Sequence, residues 1–565
     1  MKNLRAILTL IFISSFGFVF GDSFIGNLGS TPILVVNGQP TLILGGELGN
    51  SSATSPEDIE TNFKKIKEGG LNSVLVPAYW ELIEPHEGEY DFSLIDSVID
   101  TARNLDLNVV FLWFGAWKNS MSCYAPEWVK RDLQRFPRAR CSSGKPLEIL
   151  SSFSENVADS DLKAFETLLN HIKQTDTEGK VIMIQVENEI GMLEEARDHS
   201  DSADKEYAKG VPEELTLYLK MYKDSLHPRI AEKWNRTGNK MRGSWKEVFG
   251  DDIYTDEIFM AWNYGKYVER LAEKGKKILN VPYYLNAALD SRGRKPGEYP
   301  SAGPLAHLKD IWKASAPSID FISPDIYDSG FQDWVAQYAL KDNILFIPEV
   351  KRDLNNTAQA YYIIGHHGAL GISPFSIENG DNDYYSSLSS AYAVLNNLTP
   401  LLARQDKGLL KDGVILSTEN PNVLIEDGNA RITLSHYYTL PWDPKAADKS
   451  NWNDQGCLIL KIAPEEYIIA GSGIVAKFEH ELEETSVKKL GEDGFADSAN
   501  INISDYQERK TPRIGLAKVE EVTVNPDGTL NCIRTLNGDE THQGRHVRIP
   551  TEDNKILHIK TYTYE

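Results

Sequence analysis

From Thr41 onward the chain repeats one pattern: a short apolar, β-rich run, a polar loop, and a stretch in which apolar residues recur at helical spacing. Eight runs of this kind can be read, at 41–44, 73–77, 109–113, 181–186, 281–286, 321–324, 344–347 and 369–373. Helical periodicity fills 56–68, 94–104, 161–174, 256–277, 303–314 and 357–367, so strand and helix alternate as in parallel α/β folds. Eight β/α units over about 370 residues predict a closed (β/α)8, or TIM, barrel rather than an open doubly wound sheet. No glycine-rich phosphate fingerprint follows any of the runs, which weakens nucleotide binding. Ahead of the barrel, two apolar runs flank Asn37-Gly38, a hairpin signal. The longest insertion, 191–279, opens on the acidic, poorly periodic EEARDHSDSADKEY and then turns helical.

Beyond Lys411 the period changes from 3.6 to 2. GVILS, NVLIED, ARITLSHY, GCLILKIA and EYIIAGSGIVAKFE alternate or run apolar between turn residues, which predicts a β-sandwich-like domain over 411–565 behind a barrel domain over 22–410. Residues 1–21 have a separate logic. Lys2 and Arg5 precede an apolar run, and small Gly21 follows, the layout of a cleaved secretory signal peptide, so export to the periplasm or medium is expected. The run is shorter than the roughly 20 residues a spanning helix needs, so no membrane insertion is expected.

Charge narrows the function. With 82 acidic against 59 basic residues and a net charge of −23, the surface cannot offer the electropositive footprint that nucleic acids require. The 11 Trp and 25 Tyr suit sugar faces, although most aromatics fill cores. In an oxidising compartment Cys123 could pair with Cys141 and Cys457 with Cys532, with buried free thiols as the alternative. No CxxC or His/Cys cluster has ligand spacing, so a structural zinc is not expected, and the two-carboxylate chemistry considered below requires neither metal nor organic cofactor.

In such a barrel the chemistry lies where strands end and loops begin. Acidic residues stand at several of those ends: Gly45-Gly46-Glu47, VIMIQVENEIGM, SPDIY and LFIPEV. A single such Glu usually partners a Lys, an Arg or a loop amide. Glu189 and Glu349, ending strands four and seven, are a less probable coincidence, because barrel closure lets those ends converge. Two carboxyls about 5–5.5 Å apart would suit double displacement at an anomeric carbon.

IMIQVENEIGM strongly resembles the acid/base motif of glycoside hydrolase family 35 β-galactosidases, and GGLNSVLVPAYWELIEPHEGEYDFS resembles that family's strand-two segment. The likeness runs from about Val35 to Phe375. It implies Glu189 as general acid/base, Asn188 as its sugar-contacting neighbour, Glu349 as nucleophile and Tyr327 as a donor to Glu349. PEVKRD and PAYW depart from animal and fungal members, and the layout is similar to a bacterial branch with one β-rich C-terminal domain. Sugar-facing positions are then expected at Glu47, Tyr79, Trp80, Glu81, Trp113, Trp117, Lys118, Asn119, Asn286 and Tyr327, with core packing the alternative for Trp80 and Trp113. Trp117 would stack on the sugar, and Lys118 and Asn119 would bond its hydroxyls. Glu187 either faces the same way or pairs with a barrel Arg or Lys. The implied activity is exo-hydrolysis of terminal β-galactose from an oligosaccharide or polysaccharide. The alternatives are a related retaining β-glucosidase, β-mannosidase or α-L-arabinopyranosidase, and a glycan-binding protein without catalysis.

Overall fold

A computed structural model of the chain describes residues 23–29, 31–483 and 511–565; the expected export signal lies outside the described residues. Eight parallel strands, Ile43–Glu47, Ser73–Tyr79, Asn108–Phe114, Val181–Gln185, Tyr283–Ala288, Phe321–Ile326, Ile347–Val350 and Gly371–Pro374, close into a barrel. Each overlaps one expected run. Strand seven does so only at Ile347, because the residues before it approach the sheet without joining the ladder and its pairing with strand eight is irregular between Ile347 and Val350. The first barrel helix, Pro56–Glu68, starts where its chemistry says it should: Ser55 caps it by accepting from the Asp58 amide, and Pro56 occupies its first turn. The Asn37-Gly38 turn, with φ of 50° and 78°, joins Ile33–Val36 to Gln39–Thr41. Ser23 in the adjoining strand bonds the Ile182 carbonyl at 2.8 Å and ties this small sheet to the barrel.

The second half of the acidic patch is a helix, Asp201–Ala208, capped by Ser200, while 194–200 lead into it as irregular backbone. Its charges sit on a solvated face and only Ala203 is buried, which is why no apolar period announces it. The insertion closes with the 26-residue helix Ile253–Ile278, which packs on the barrel.

The C-terminal region forms a six-stranded and a four-stranded antiparallel sheet. The six-stranded sheet is covered on both faces. Leu458, Leu460, Ile468, Ala470 and Ile556 belong to the barrel's apolar core, while Cys457, Ile459, Tyr467, Ile469, Leu557 and Ile559 fill the space toward the other sheet. Double coverage explains the unbroken apolar runs CLILKI and YIIAG, where a one-faced strand would alternate. The interface with the barrel is close. A Cβ on Gly456 would lie 2.5 Å from Ala358 Cα, Tyr361 Oη donates to Asn554 at 3.0 Å, and His366 meets Asp412 at 2.6 Å. His366 thus joins the barrel to the C-terminal region.

All four cysteines are free thiols. Cys457 and Cys532 stand on the second and sixth strands of one sheet, roughly 19 Å apart at about 4.8 Å per strand, well beyond disulfide reach. In the C-terminal region Trp442 stacks on His542 and Trp452 on His436. Because the Gly456 approach is backbone against backbone, Gly456→Val should destabilise the chain by about 1–3 kcal/mol, read as an earlier unfolding midpoint in denaturant. An unchanged midpoint would mean that the domains are not wedged at this point.

Candidate active site

At the carboxyl end of the barrel the loops after strands three and four zip together. The Asn188 amide donates to the Trp117 carbonyl, the Asn119 amide to Asn188 and the Ser120 amide to Glu189, each at 3.2 Å. Asn119, Ser120, Glu187 and Glu189 all take left-handed backbone, φ between 45° and 59°. Non-glycine residues there cost on the order of 1–3 kcal/mol each and persist only where the surroundings enforce them. The turn aims Glu187 and Glu189 apart, although they are two residues from one another. The Glu189 amide is held by Asn286 Oδ1 at 3.0 Å, and Asn286 in turn donates to Asp325 Oδ2 at 2.6 Å.

Glu189, Asp325 and Glu349, from strands four, six and seven, present carboxyl oxygens within 4.8 Å of one another, and all three groups are buried. Glu47, from strand one, joins them beside Glu349. Tyr327 Oη donates a hydrogen bond to Glu349 Oε1. So many carboxyls in one dry recess cannot all be charged. Burial, reinforced by the Glu349 charge, raises Glu189 to about 7 against the opposing pull of Lys118 and a hydrogen bond from Asp325. Burial first, then the Glu349 charge, pushes Glu47 and Asp325 well above the carboxylate range, and Lys118 opposes both shifts. Lys118 lies 4.9 Å over the Phe114 ring, itself buried.

Beneath this cluster sits a second acid pair. Glu187 accepts from the Trp117 amide at 2.8 Å; Asp161, from helix Glu155–Thr175, accepts from Trp113 Nε1 at 2.8 Å and Tyr267 Oη at 2.5 Å. The carboxyls of Glu187 and Asp161 bond each other, and burial together with the Asp161 charge lifts Glu187 far above its usual range. Glycine is required at 115, where a Cβ would stand 2.8 Å from an oxygen of each acid. Glu187 therefore pairs with a carboxyl rather than with an Arg or Lys, and this pair anchors the Trp117 loop.

The structure sorts the expected positions. Glu47, Lys118, Asn188, Glu189, Asn286, Tyr327 and Glu349 gather at the mouth, with both polar atoms of the Asn188 side chain buried and unpartnered. Asn119 is exposed on the rim. Trp117 offers no face to a sugar: its side chain is wholly enclosed, edge-on to Tyr264 and Tyr267. Tyr79 is taken up by packing on Phe114 and Tyr124, Trp80 bonds Glu84, Trp113 bonds Asp161, and Glu81 pairs with Lys130. The sequence marked Asp325 as an acidic strand end without giving it a place in the site, and it gave no sign of Asp161. Asp325 carries the same signal as Glu349, an acid closing an apolar strand, while Asp161 interrupts the buried stripe Val157, Ala158, Ala164, Phe165 of its helix.

Barrel and carboxyl cluster together define a (β/α)8 protein with an acidic recess at the catalytic face. Residues 33–241 match the family model Glycosyl hydrolases family 35, in line with the resemblance carried by VENEIG and EPHEGEYDF. Residues 388–548 match a Domain of unknown function, DUF5597. Among solved structures, the chain is similar to a β-galactosidase from the Antarctic haloarchaeon Halorubrum lacusprofundi, at 14% identity and TM-score 0.43 over 63% of this chain and 58% of that one. It is also similar to a β-galactosidase from the psychrophilic Marinomonas ef1, at 12% and 0.45 over 64% and 61%, and to a β-mannanase from the blue mussel Mytilus edulis, at 14% and 0.39 over 66% and 96%. The chain thus spans about three fifths of the length of these two β-galactosidases.

The raised Asp325 has a signed consequence. Its carboxyl keeps its proton more tightly folded than unfolded, so its contribution is favourable at low pH and is lost as pH rises. Asp325→Asn, a neutral isostere, should gain stability relative to the parent as pH rises from 5 to 8. Equal differences at both pH values, measured by denaturant unfolding, would refute a protonated Asp325.

Proposed function

We propose that the protein is an exported, retaining exo-β-galactosidase that removes terminal, non-reducing β-D-galactose from glycans. One observation carries the reading: the carboxyl oxygens of Glu189 and Glu349 come within 4.8 Å of each other at the barrel mouth, a separation that suits a covalent sugar intermediate and leaves too little room for an inverting water. The family 35 match over the first half of the barrel supports the choice of β-galactoside, and the charged, apolar and small-residue blocks of 1–21 support export.

Glu349 attacks the anomeric carbon as a carboxylate. Tyr327 holds one of its oxygens, so the carboxylate is aimed rather than free to rotate, and Glu47, raised by burial and the Glu349 charge, stands beside it. Glu189, protonated below about pH 7, passes its proton to the departing glycosidic oxygen as the bond to carbon breaks. Esterification removes the Glu349 charge, which lowers the cost of ionising Glu189; the same residue then takes a proton from water, whose oxygen displaces Glu349 and restores the starting state. Two inversions leave the product as the β-anomer.

Glu349→Gln should reduce hydrolysis of an aryl β-galactoside to background. Glu189→Gln should slow substrates with poor leaving groups by about 10²–10⁴-fold and activated aryl substrates far less. Equal residual activity in both variants and the parent would overturn the assignment. Because Glu189 must begin protonated, kcat/KM should fall as pH rises through about 7, and the fall should vanish from the first step in Glu189→Gln. A panel of aryl glycosides, with product anomers followed by NMR, checks sugar and stereochemistry together; faster turnover of the α-L-arabinopyranoside would move the reading to that sugar.

A further inference from the structure

Beside the carboxyl recess, on the outer side of Tyr327, a furrow of about 570 Å³ runs along the seam between the two domains. This volume falls in the range of small-molecule sites, roughly 300–1,000 Å³. One wall is barrel: Tyr327 and Phe331 after strand six, Asp353 and Gln359 after strand seven. The other is the C-terminal region: the turn Ser417 to Asn420 and Asp454. The wall is fixed in place, because helix Asn356–Tyr362, which starts in the furrow, is the helix against which Gly456 and Asn554 pack.

Its chemistry is specific. Tyr327 is nearly half exposed and its ring is braced edge-on by Phe375, so the face turned to solvent is a ready platform for a sugar ring. Asp353 from the barrel and Glu419 from the C-terminal region both stand near Asp454, where burial first and then their charges raise its carboxyl. Such a lining accepts hydrogen bonds from hydroxyl groups and repels anions. Tyr327 is shared between furrow and recess: its hydroxyl bonds Glu349 while its ring forms the furrow's inner end. A sugar seated over Glu349 would therefore have this ring beside it, with the furrow beyond.

We propose that the furrow is a subsite for the neutral oligosaccharide to which the terminal sugar is attached, and that the domain of unknown function supplies one of its walls. The inference rests on the glycosidase reading for its connection to turnover, but the furrow's capacity to bind is separate. It gives the C-terminal region a role in choosing the glycan, with the barrel alone performing the chemistry.

The test uses the full chain, with Asn420→Trp placing a bulky ring on an exposed turn and Glu419→Lys reversing one charge. Against a neutral pentasaccharide ending in β-galactose, Asn420→Trp should raise KM about tenfold with kcat kept, while kcat/KM for p-nitrophenyl β-galactoside stays within about twofold. Glu419→Lys should improve turnover of a matching oligosaccharide that carries a uronic acid next to the galactose. Parallel changes on both substrates, or none, would overturn the proposal. Calorimetric titration with the same neutral oligosaccharide lacking its galactose separates the two readings. Binding by the parent that Asn420→Trp abolishes supports the furrow even if no aryl galactoside is hydrolysed. Absence of binding by the parent sinks the furrow even if hydrolysis is found.

Discussion

A dry recess holding more carboxyl groups than it can ionise is the condition on which the rest of this molecule turns. Glu47, Glu189, Asp325 and Glu349 face one another with Lys118 the cation that opposes their shifts, and Asp161 with Glu187 repeats the crowding one layer below. Unpaired buried charge would cost several kcal/mol per group, so the site is stable only if protons are retained and shared. Retained protons are what an acid catalyst needs. In the proposed mechanism the same crowding that costs the fold would supply the acid.

The barrel's scaffolding serves that crowding. Strands one, six and seven each carry one of the acids at their ends and the loop after strand four carries Glu189, and the closed sheet brings these ends together from positions as distant as 47 and 349. The left-handed turn through Glu187 and Glu189 then distributes two neighbouring acids to two depths, one meeting the mouth and one meeting Asp161. A turn of that kind is costly in isolation; here it is held by the Trp117, Asn119 and Ser120 backbone and by Asn286.

Much of this was legible before any coordinates. The eight strands announce themselves because each is buried on both faces and reads as a plain apolar run, and Glu189 and Glu349 stand out because an acid ending such a run has to be explained. What stayed hidden depends on contacts that periodicity does not encode. Asp161 lies within a helix whose stripe looks merely imperfect, and its partner is 26 positions away. Trp117 looked like a sugar platform, but the direction of its ring follows from how the loop backbone is anchored by Glu187. The cysteines are a similar case: order along the chain suggested pairs, while four intervening strand spacings keep Cys457 from Cys532. Strand seven shifted because an apolar run marks burial and not the exact ladder.

The six-stranded sheet buried on both faces has a consequence for how this chain could be cut or recombined. Ending it near residue 410 would strip the cover from barrel helices whose outer sides are part of a continuous apolar core, and would leave the sheet's own Leu458, Leu460 and Ile468 facing water. Neither fragment would be a finished product. Because one apolar cluster runs from barrel to sheet, each region supplies part of the other's interior.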